Sequence, residues 1–562
     1  MAKPSYSNLP FYASLGLKCG LEVHRQLDTA HKLFCDCPVR PYSPEYHAEI
    51  LRHMRPTLSE LGEYDPTALM EFKTHKQIIY RLNRETVCTY EMDDAPPFRL
   101  NRDALHRAMV LSVMLDLNQV DELHIARKQY LDGSIPTGFQ RTMILGINGL
   151  IMCNGRRIGI RQLGLEEEAC REVSDRGHTR TYMTDRLSIP LIEVVTEAEA
   201  RTPAEAADMA GVIRKICHLS GLVRTGLGRV RQDVNVSITG GSRVEIKGVP
   251  RIRQIPGLVH FEALRQKALL EVRDLLRDSG VEPGAFSDDL DVTAAARKHA
   301  KRLFQKRLSR GNKARAVILR GCAGMLSHPL GPGRTLASEV SDRIRVIACI
   351  DDMPNMTCSD DPDGPTALFD EARRKAKAGP ADAVVVVAGP VRDVVTAVQE
   401  VKNRMLEALE GVPRETRKAL SSGVTSFERL LPGPDRMYPD TDLPPIVLSQ
   451  REFETAEDQA PEKLWDKEAA YLGSGLSQAQ VDRLLTTDQF RVYDEAIDRV
   501  KLRPSILAYL LVDFRVGLRR AGVEVGALDA DLLAALFGDD SCASIKQKDA
   551  AKALEQALRD KA

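Results

Sequence analysis

At 562 residues the chain is longer than one ordinary hydrophobic core can serve, so three or four domains are expected. With 43% hydrophobic and 28% charged residues and no apolar run longer than "AVVVVAG", the composition is globular and excludes a membrane-spanning chain; "MAKPSYSNLPFYASLG" lacks the apolar run of a secretory signal. The 79 basic residues balance 79 acidic ones, and the 11 cysteines are scattered without a paired framework, which predicts a cytoplasmic protein rather than a secreted one.

The first informative stretch is "GLKCGLEVHRQLDTAHKLFCDCP", residues 16–38. Alternation in "KCGLEVH" predicts a strand with Cys19, Leu21 and Val23 on one face and Gly20, Glu22 and His24 on the other. Glu22 and His24 then stand about 7 Å apart, near enough to share a metal, although a half-exposed strand also carries such pairs by chance. Cys35 and Cys37 supply half of a zinc site, but "VCTYEM" offers only Cys88 as the other half, and His31 and His47 have no recognisable spacing. Zinc is therefore not favoured.

Further along, "NRDALHRAMVLSVML" predicts a helix from Asn101. "LGLEEEAC" clusters Glu166, Glu167 and Glu168, whose like charges raise one another's pKa unless a cation neutralises them. "IPLIEVVTE" is an apolar strand with Glu193 in its middle, a carboxylate that costs several kcal/mol to bury without a partner. Several carboxylates and one imidazole make an oxygen-dominated donor set, which suits Mg²⁺. "GRVRQDVNVSITGGSRVEIKGV" predicts a hairpin with "TGGS" as its turn. One face carries Arg231, Asp233 and Asn235, and the returning strand carries Arg243, Glu245 and Lys247. Spacing alone leaves two readings open, a solvated face of weak ion pairs and a surface for a triphosphate with its metal.

A helix over 257–278 leads to a turn-rich break, "SGVEPGAF", taken as a domain boundary. From Val292 to Ser338 there is no acid, while Arg297, Lys298, Lys301, Arg302, Lys306, Arg307 and Arg310 open a run of cations that continues to Arg334. A stretch of one sign this long predicts contact with RNA rather than a mixed, solvated surface. "AVVVVAGPVRDVVTAVQEV" reads as a buried strand followed by a helix, and "LLPGPDRMYPDTDLPP" as a rigid connector. Beyond it the chain reads as helical, with a Ser477/Gln480 capping box in "LSQAQVDRLL".

Five motifs in this order, "GLEVHRQLDTAHKLFCDCP", "RKQYLDGSIPTGFQRT", "LGLEEEACREV", "IPLIEVVTEAEA" and "VRQDVNVSITGGSRVEIKGV", resemble the kinase/transamidase subunits of tRNA-dependent amidotransferases. "AVILRGCAGMLSHPLGPGRTLASEVSDRIRV" resembles the insertion domain of bacterial-type aspartyl-tRNA synthetases, and with "DRMYPDTDLPPI" it points to the archaeal E-type subunit of glutamyl-tRNA(Gln) amidotransferase. The fold implied is α+β and multidomain: a β-rich, cradle-like kinase domain (1–280), an aspartyl-tRNA-synthetase-like insertion domain (281–402), a connector and helical domain (403–480), and an all-α YqeY-like, tRNA-binding tail (481–562).

The activity implied is that of a carbon–nitrogen ligase. ATP phosphorylates the side chain of glutamate on misacylated tRNA(Gln), and ammonia displaces the phosphate. The resemblance implies Mg²⁺ ligation by Glu22, His24, Glu166, Glu167 and Glu193, with Glu22, His24, Glu167, Glu193 and Lys128 catalytic. Lys128 matches an ammonia gate, and Arg231, Asp233, Asn235, Glu245 and Lys247 lie against the phosphates of ATP. The ammonia source implied is a separate asparaginase-like glutaminase D subunit, in a heterotetramer with two copies of each chain. Gly164 stands where the B-type motif has a histidine. Two alternatives remain at this level: a B-type subunit that also acts on Asp-tRNA(Asn), against which the insertion speaks, and a non-catalytic tRNA-binding scaffold, against which Glu193 and the Glu22/His24 pair speak.

Overall fold

The computed structural model of the chain describes residues 5–561 apart from 57, 59–61, 227, 309–310, 432, 434–435 and 527. Arg310, one of the expected RNA contacts, therefore lies outside the described residues.

The site is carried by a sheet of 11 strands among the described residues. Ten form a continuous path: β1 (Lys18–Gln26), β2 (Ala126–Gln129), β3 (Phe139–Cys153), β4 (Arg156–Glu167), β5 (Pro190–Thr196), β6 (Val230–Ser237), β7 (Val244–Val249), β8 (Glu415–Ala419), β9 (Thr425–Leu430) and β10 (Met437–Pro439). Their order across the sheet is β9-β8-β7-β6-β1-β5-β4-β3-β2-β10, and Asn118–Gln119 pairs with β3 off this path. Among the described residues only β7 and β8 pair in parallel along it. The strand and hairpin predicted from "KCGLEVH" and "VRQDVNVSITGGSRVEIKGV" are β1 and β6–β7.

Three helices back this sheet or extend from it: α1 (Arg102–Met114), α2 (Pro203–Ser220) and α3 (Ile255–Asp278). The Asn101 side chain caps α1 by accepting from the Ala104 N–H. Thr202 caps α2 in the same way, Pro203 fills its first turn, and Gly221 ends it at φ 69°, a left-handed value that suits glycine. Ala206, Met209, Ala210 and Ile213 of α2 share a core with Cys19, Leu21 and Val23 of β1. Burying each larger apolar side chain there contributes about 1.5–3 kcal/mol. That packing fixes which way β1 faces and leaves its Glu22/His24 side free of helices from the core.

The chain leaves the sheet after α3 to build the insertion, a four-stranded sheet of Asp289–Asp291, Lys313–Leu319, Ala383–Gly389 and Met356–Cys358 with α4 (Leu336–Ile347) and α5 (Val391–Glu410) packed on it. It then returns. β8, β9 and β10 all fall inside the expected connector, 403–480, yet belong to the large sheet, and α5 runs past residue 402. β8 was hard to foresee because its buried positions include Glu415 (1% exposed) and Arg417 (0%), which read as surface residues.

Those charges belong to a dry ionic cluster. Glu339 of α4 accepts from Arg265 of α3 (3.0 Å), Arg404 of α5 (3.3 Å) and Arg417 of β8 (2.8 Å), while Arg265 also pairs with Glu262 and Arg417 with Glu415. The insertion is thereby locked to the strand beside β7. From Gln450 onward the described elements are helical, and Val481, Leu484 and Leu485 join the core that contains α2. Among the described residues no helix is long and apolar enough to cross a membrane.

Candidate active site

Register across the centre of the sheet decides which side chains meet. His24 of β1 lies opposite Glu193 of β5 and Arg231 of β6, and Glu22 lies opposite Asp233. Asn235 of β6 lies opposite Glu245 of β7. Because side chains alternate along a strand, all of these project from one face. They form two carboxylate-rich groups side by side: His24 with Glu166 and Glu193, and Glu22 with Asp233 and Glu245. Within each group the ligand atoms lie within 4.8 Å of one another. Glu22 and His24, read from the sequence as one pair, thus serve neighbouring triads.

In the first triad His24 Nε2 is 3.1 Å from Glu193 Oε1 and 3.7 Å from Glu166 Oε1. Burial and the nearby Arg231 oppose protonation of His24, but its hydrogen bond to Glu193 and the surrounding acids raise its pKa to about 9. Burial and the neighbouring Glu193 push the Glu166 carboxyl upward, and Glu166 Oε2 and His24 Nδ1 have no hydrogen-bond partner. Glu193 moves the other way: burial opposes its charge, but Lys128 and His24 hold it well below the usual carboxylate range. Lys128 of β2 is 8% exposed, with Nζ 3.6 Å from Glu193 and 3.7 Å from Glu166. Gly164, opposite Glu193 on β4, adds no side chain to this floor.

In the second triad burial, Glu245, Glu193 and Asp233 together push Glu22 up to about 7. Asn235 Nδ2 donates to Glu22 Oε1 at 3.0 Å. Lys247 Nζ stands 3.6 Å from Asp233 and 3.4 Å from Glu245, so burial of Asp233 is outweighed by Lys247, His24 and Arg231, and its pKa falls. Two clusters of hard oxygen donors with one imidazole fit Mg²⁺ better than a soft metal. The Glu22 and Glu166 carboxyls are both raised by burial among other acids, and Glu166 Oε2 makes no hydrogen bond, its nearest cation being Lys128 Nζ at 3.7 Å.

Glu167 is not part of either triad. Alternation turns it to the other side of β4, where its carboxylate accepts from Tyr90 Oη (2.6 Å), Ser188 Oγ (2.9 Å) and the Arg141 N–H (3.0 Å). Of the two acids expected as ligands from this motif, Glu166 is thus the one grouped with His24 and Glu193, and Glu167 is turned away from them. Arg231 is also committed, since its Nη1 donates to Glu168 Oε1 at 2.7 Å. Burial opposes the Glu168 charge, but Arg231 and Arg186 bring its pKa to about 2. Asp233 and Glu245, expected against phosphate, join the donor set instead. Sequence reasoning missed Arg436, whose guanidinium lies 5.4 Å from the Tyr130 ring and whose charge acts on Lys128 and Glu193. The only signal was its place in "DRMYPD".

Residues 17–454 match the GatB/GatE catalytic domain. The chain belongs to the GatB/GatE family. Among its relatives is the E subunit of glutamyl-tRNA(Gln) amidotransferase from Methanopyrus kandleri, 37% identical over 531 residues that cover 92% of this chain and 82% of that protein. The corresponding proteins of Aeropyrum pernix (38% over 532 residues, 93% and 82%) and Methanocaldococcus jannaschii (36% over 527 residues, 92% and 82%) are similar to the same extent.

Two other features of this GatB/GatE chain differ from expectation. The basic run is not uniformly unpaired, because the fold brings the acids just before it back alongside. Asp289 pairs with Arg315, Asp288 with Arg320 and Asp291 with Lys313, while Arg334 pairs with Asp342. Exposed cations also lie on the helices Thr293–His299 and Arg302–Arg307 and between them: Arg297, Lys298, Lys301, Arg302 and Lys306, with Arg307 half-buried. Cys88, the one partner expected for Cys35 and Cys37, comes within 4.8 Å of them together with Glu91, a donor the spacing did not indicate. Glu91, however, is already held by the buried Lys32 ammonium at 2.6 Å.

Proposed function

We propose that the chain catalyses the ATP-dependent conversion of misacylated Glu-tRNA(Gln) to Gln-tRNA(Gln). The observation that carries this is the face shared by the two triads, where carboxylates crowd together beside Lys128 and Lys247. Such a face is balanced by cations bearing phosphates. Membership of the GatB/GatE family and the names of its relatives support the same activity.

A carboxylate resists ammonia because it has no leaving group. Attack of the substrate carboxylate oxygen on the γ-phosphorus of ATP releases ADP and makes phosphate that leaving group. Ammonia nitrogen then bonds to the acyl carbon, the bond from that carbon to the phosphate oxygen breaks, and the departing phosphate takes the proton that ammonia sheds. Mg²⁺ held by His24, Glu166 and Glu193, or by Glu22, Asp233 and Glu245, would screen the phosphate charges. Lys247 keeps Asp233 ionised and offers a second cation to the same phosphates. Lys128, between Glu166 and Glu193, orients these acids at the edge where ammonia enters. That ammonia comes from a partner glutaminase D subunit, two copies of each chain forming the heterotetramer, and the exposed cations of residues 297–307 contact the tRNA backbone.

The test is a reconstituted reaction of the chain with Glu-tRNA(Gln), ATP, Mg²⁺ and ammonium chloride, with no partner added. Gln-tRNA(Gln) and ADP should form, and Glu193→Gln should abolish both. A folded chain that makes no Gln-tRNA(Gln) from free ammonium, or a fully active Glu193→Gln, overturns the proposal.

A further inference from the structure

The back of the same sheet holds a second cavity, of about 480 Å³, unrelated to the triads. Alternation turns Arg25 of β1 and Gln232 of β6 away from Glu22 and His24, toward Arg214 and His218 of α2 and toward Arg251 and Arg253 in the turn after β7. Four arginines and one histidine line this space, and no acid is among the lining residues.

Arg25 is the decisive group. Eight arginines are buried among the described residues. Arg141, Arg180, Arg265, Arg343, Arg404, Arg417 and Arg429 each have a carboxylate within ion-pair distance. Arg25, at 3% exposure, has none among the described residues. Its Nη2 is 3.3 Å from His218 Nε2, and its Nε has no partner. Gln232 Oε1 and His218 Nδ1 are also buried without partners. Burial and the adjacent Arg25 and Arg214 lower the His218 pKa to about 4, so the imidazole adds no charge and can act as a neutral donor or acceptor. Asp488, the acid whose charge reaches Arg25 and His218, sits with Asp28, Arg224 and Arg491 in an adjoining depression and leaves the excess of cations standing. A buried guanidinium without a counter-ion costs several kcal/mol, and an anion from solution removes that cost. Planar, bidentate donors favour phosphate, and the volume falls in the range of small-ligand pockets.

We propose that this cavity binds a phosphate group, supplied either by a free phosphorylated small molecule or by an RNA backbone, with Arg25 at its base and Arg214, Arg251 and Arg253 at its mouth. The site is separate from the one assigned to ATP, because the sheet lies between them.

The experiment titrates the full chain, by calorimetry, with inorganic phosphate, with adenosine monophosphate and with deacylated tRNA, for the wild type, Arg25→Gln and the double variant Arg251→Glu/Arg253→Glu. The double variant changes only exposed positions, so its folding is safe even if Arg25→Gln misfolds. Glu22→Gln serves as the control for binding on the opposite face. A small-molecule ligand predicts phosphate or monophosphate binding that survives Glu22→Gln and weakens at least tenfold in the back-face variants. A backbone ligand predicts that only tRNA affinity falls tenfold in them, with a shallower salt dependence. Unchanged affinity for all three ligands in the double variant overturns the proposal.

Discussion

Replacing Glu22 by glutamine should make the metal-free protein more stable while destroying its activity. Glu22 rises from 4.5 to about 7 because it is buried among Glu245, Glu193 and Asp233. With about 1.4 kcal/mol per pKa unit, holding Glu22 ionised in the fold costs on the order of 3 kcal/mol. The sign follows from proton linkage. Between 4.5 and about 7 the native state holds a proton that the unfolded chain has released, so stability falls as pH rises through this window; the full penalty stands above about pH 7 and none below 4.5. Glutamine keeps an oxygen that accepts from Asn235 but carries no charge. In EDTA at about pH 8.5 the variant should therefore melt roughly 2–5 °C above wild type, and at about pH 4 the two should coincide. Mg²⁺ at a hundredfold excess over Kd should stabilise wild type by about 2.7 kcal/mol and so raise its melting temperature, and should raise that of the variant much less. Scanning calorimetry with and without Mg²⁺ gives all of these. A variant that melts below wild type in EDTA at high pH, or that keeps the whole Mg²⁺ response, refutes a cation site at the second triad.

Lys128→Met should leave the fold intact and lower ammonium-dependent formation of Gln-tRNA(Gln) roughly 100-fold, measured under saturating ATP. Charge reversal of Lys301 and Arg302 should weaken tRNA binding and flatten its dependence on salt, with the slope falling by about 0.7–0.9 for each phosphate no longer neutralised; an unchanged slope would leave those helices as a solvated surface. Glu339→Ala leaves the buried Arg404 without its carboxylate and takes one acid from Arg265 and Arg417; it should cost about 3–5 kcal/mol, seen as faster hydrogen exchange in α4, α5 and β8.

What the sequence discloses about this fold depends on whether burial and polarity agree. β1 and the β6–β7 hairpin were legible because each sets apolar residues at every second position against a core, as Cys19, Leu21 and Val23 do, and β5 because it is an apolar run on both sides of Glu193. α1 and the helix opened by Ser477 announce themselves by caps that need no tertiary context. β8 breaks the rule: Glu415 and Arg417 are buried because α3 and α4 supply opposite charges, and those partners lie over 70 residues away in the chain. The basic run misled for a similar reason. Its length in sequence hid that Asp288, Asp289 and Asp291 fold back onto Arg320, Arg315 and Lys313.

Within the site the same physics separates neighbours. Glu166, Glu167 and Glu168 are consecutive, so composition alone gives each an equal claim to a metal. The strand period of two sends Glu166 to the triad and Glu167 to Tyr90 and Ser188, and Glu168, beyond the end of β4, is taken by Arg231. Glu167 and Glu168 therefore end with full sets of donors, whereas Glu166 keeps an oxygen with no hydrogen bond and Glu22 keeps its proton to near neutrality. The fold satisfies buried acids where it can, as in the cluster around Glu339, but leaves Glu22 without an ion pair among the described residues and Glu166 with Lys128 and His24 no nearer than 3.7 Å. A sheet able to neutralise Glu339 with three arginines had the means to do the same for Glu22 and Glu166; the deficit stands on the face proposed above for a charged substrate and its cation, and on that proposal removing a carboxylate there should stabilise the protein at the expense of its chemistry.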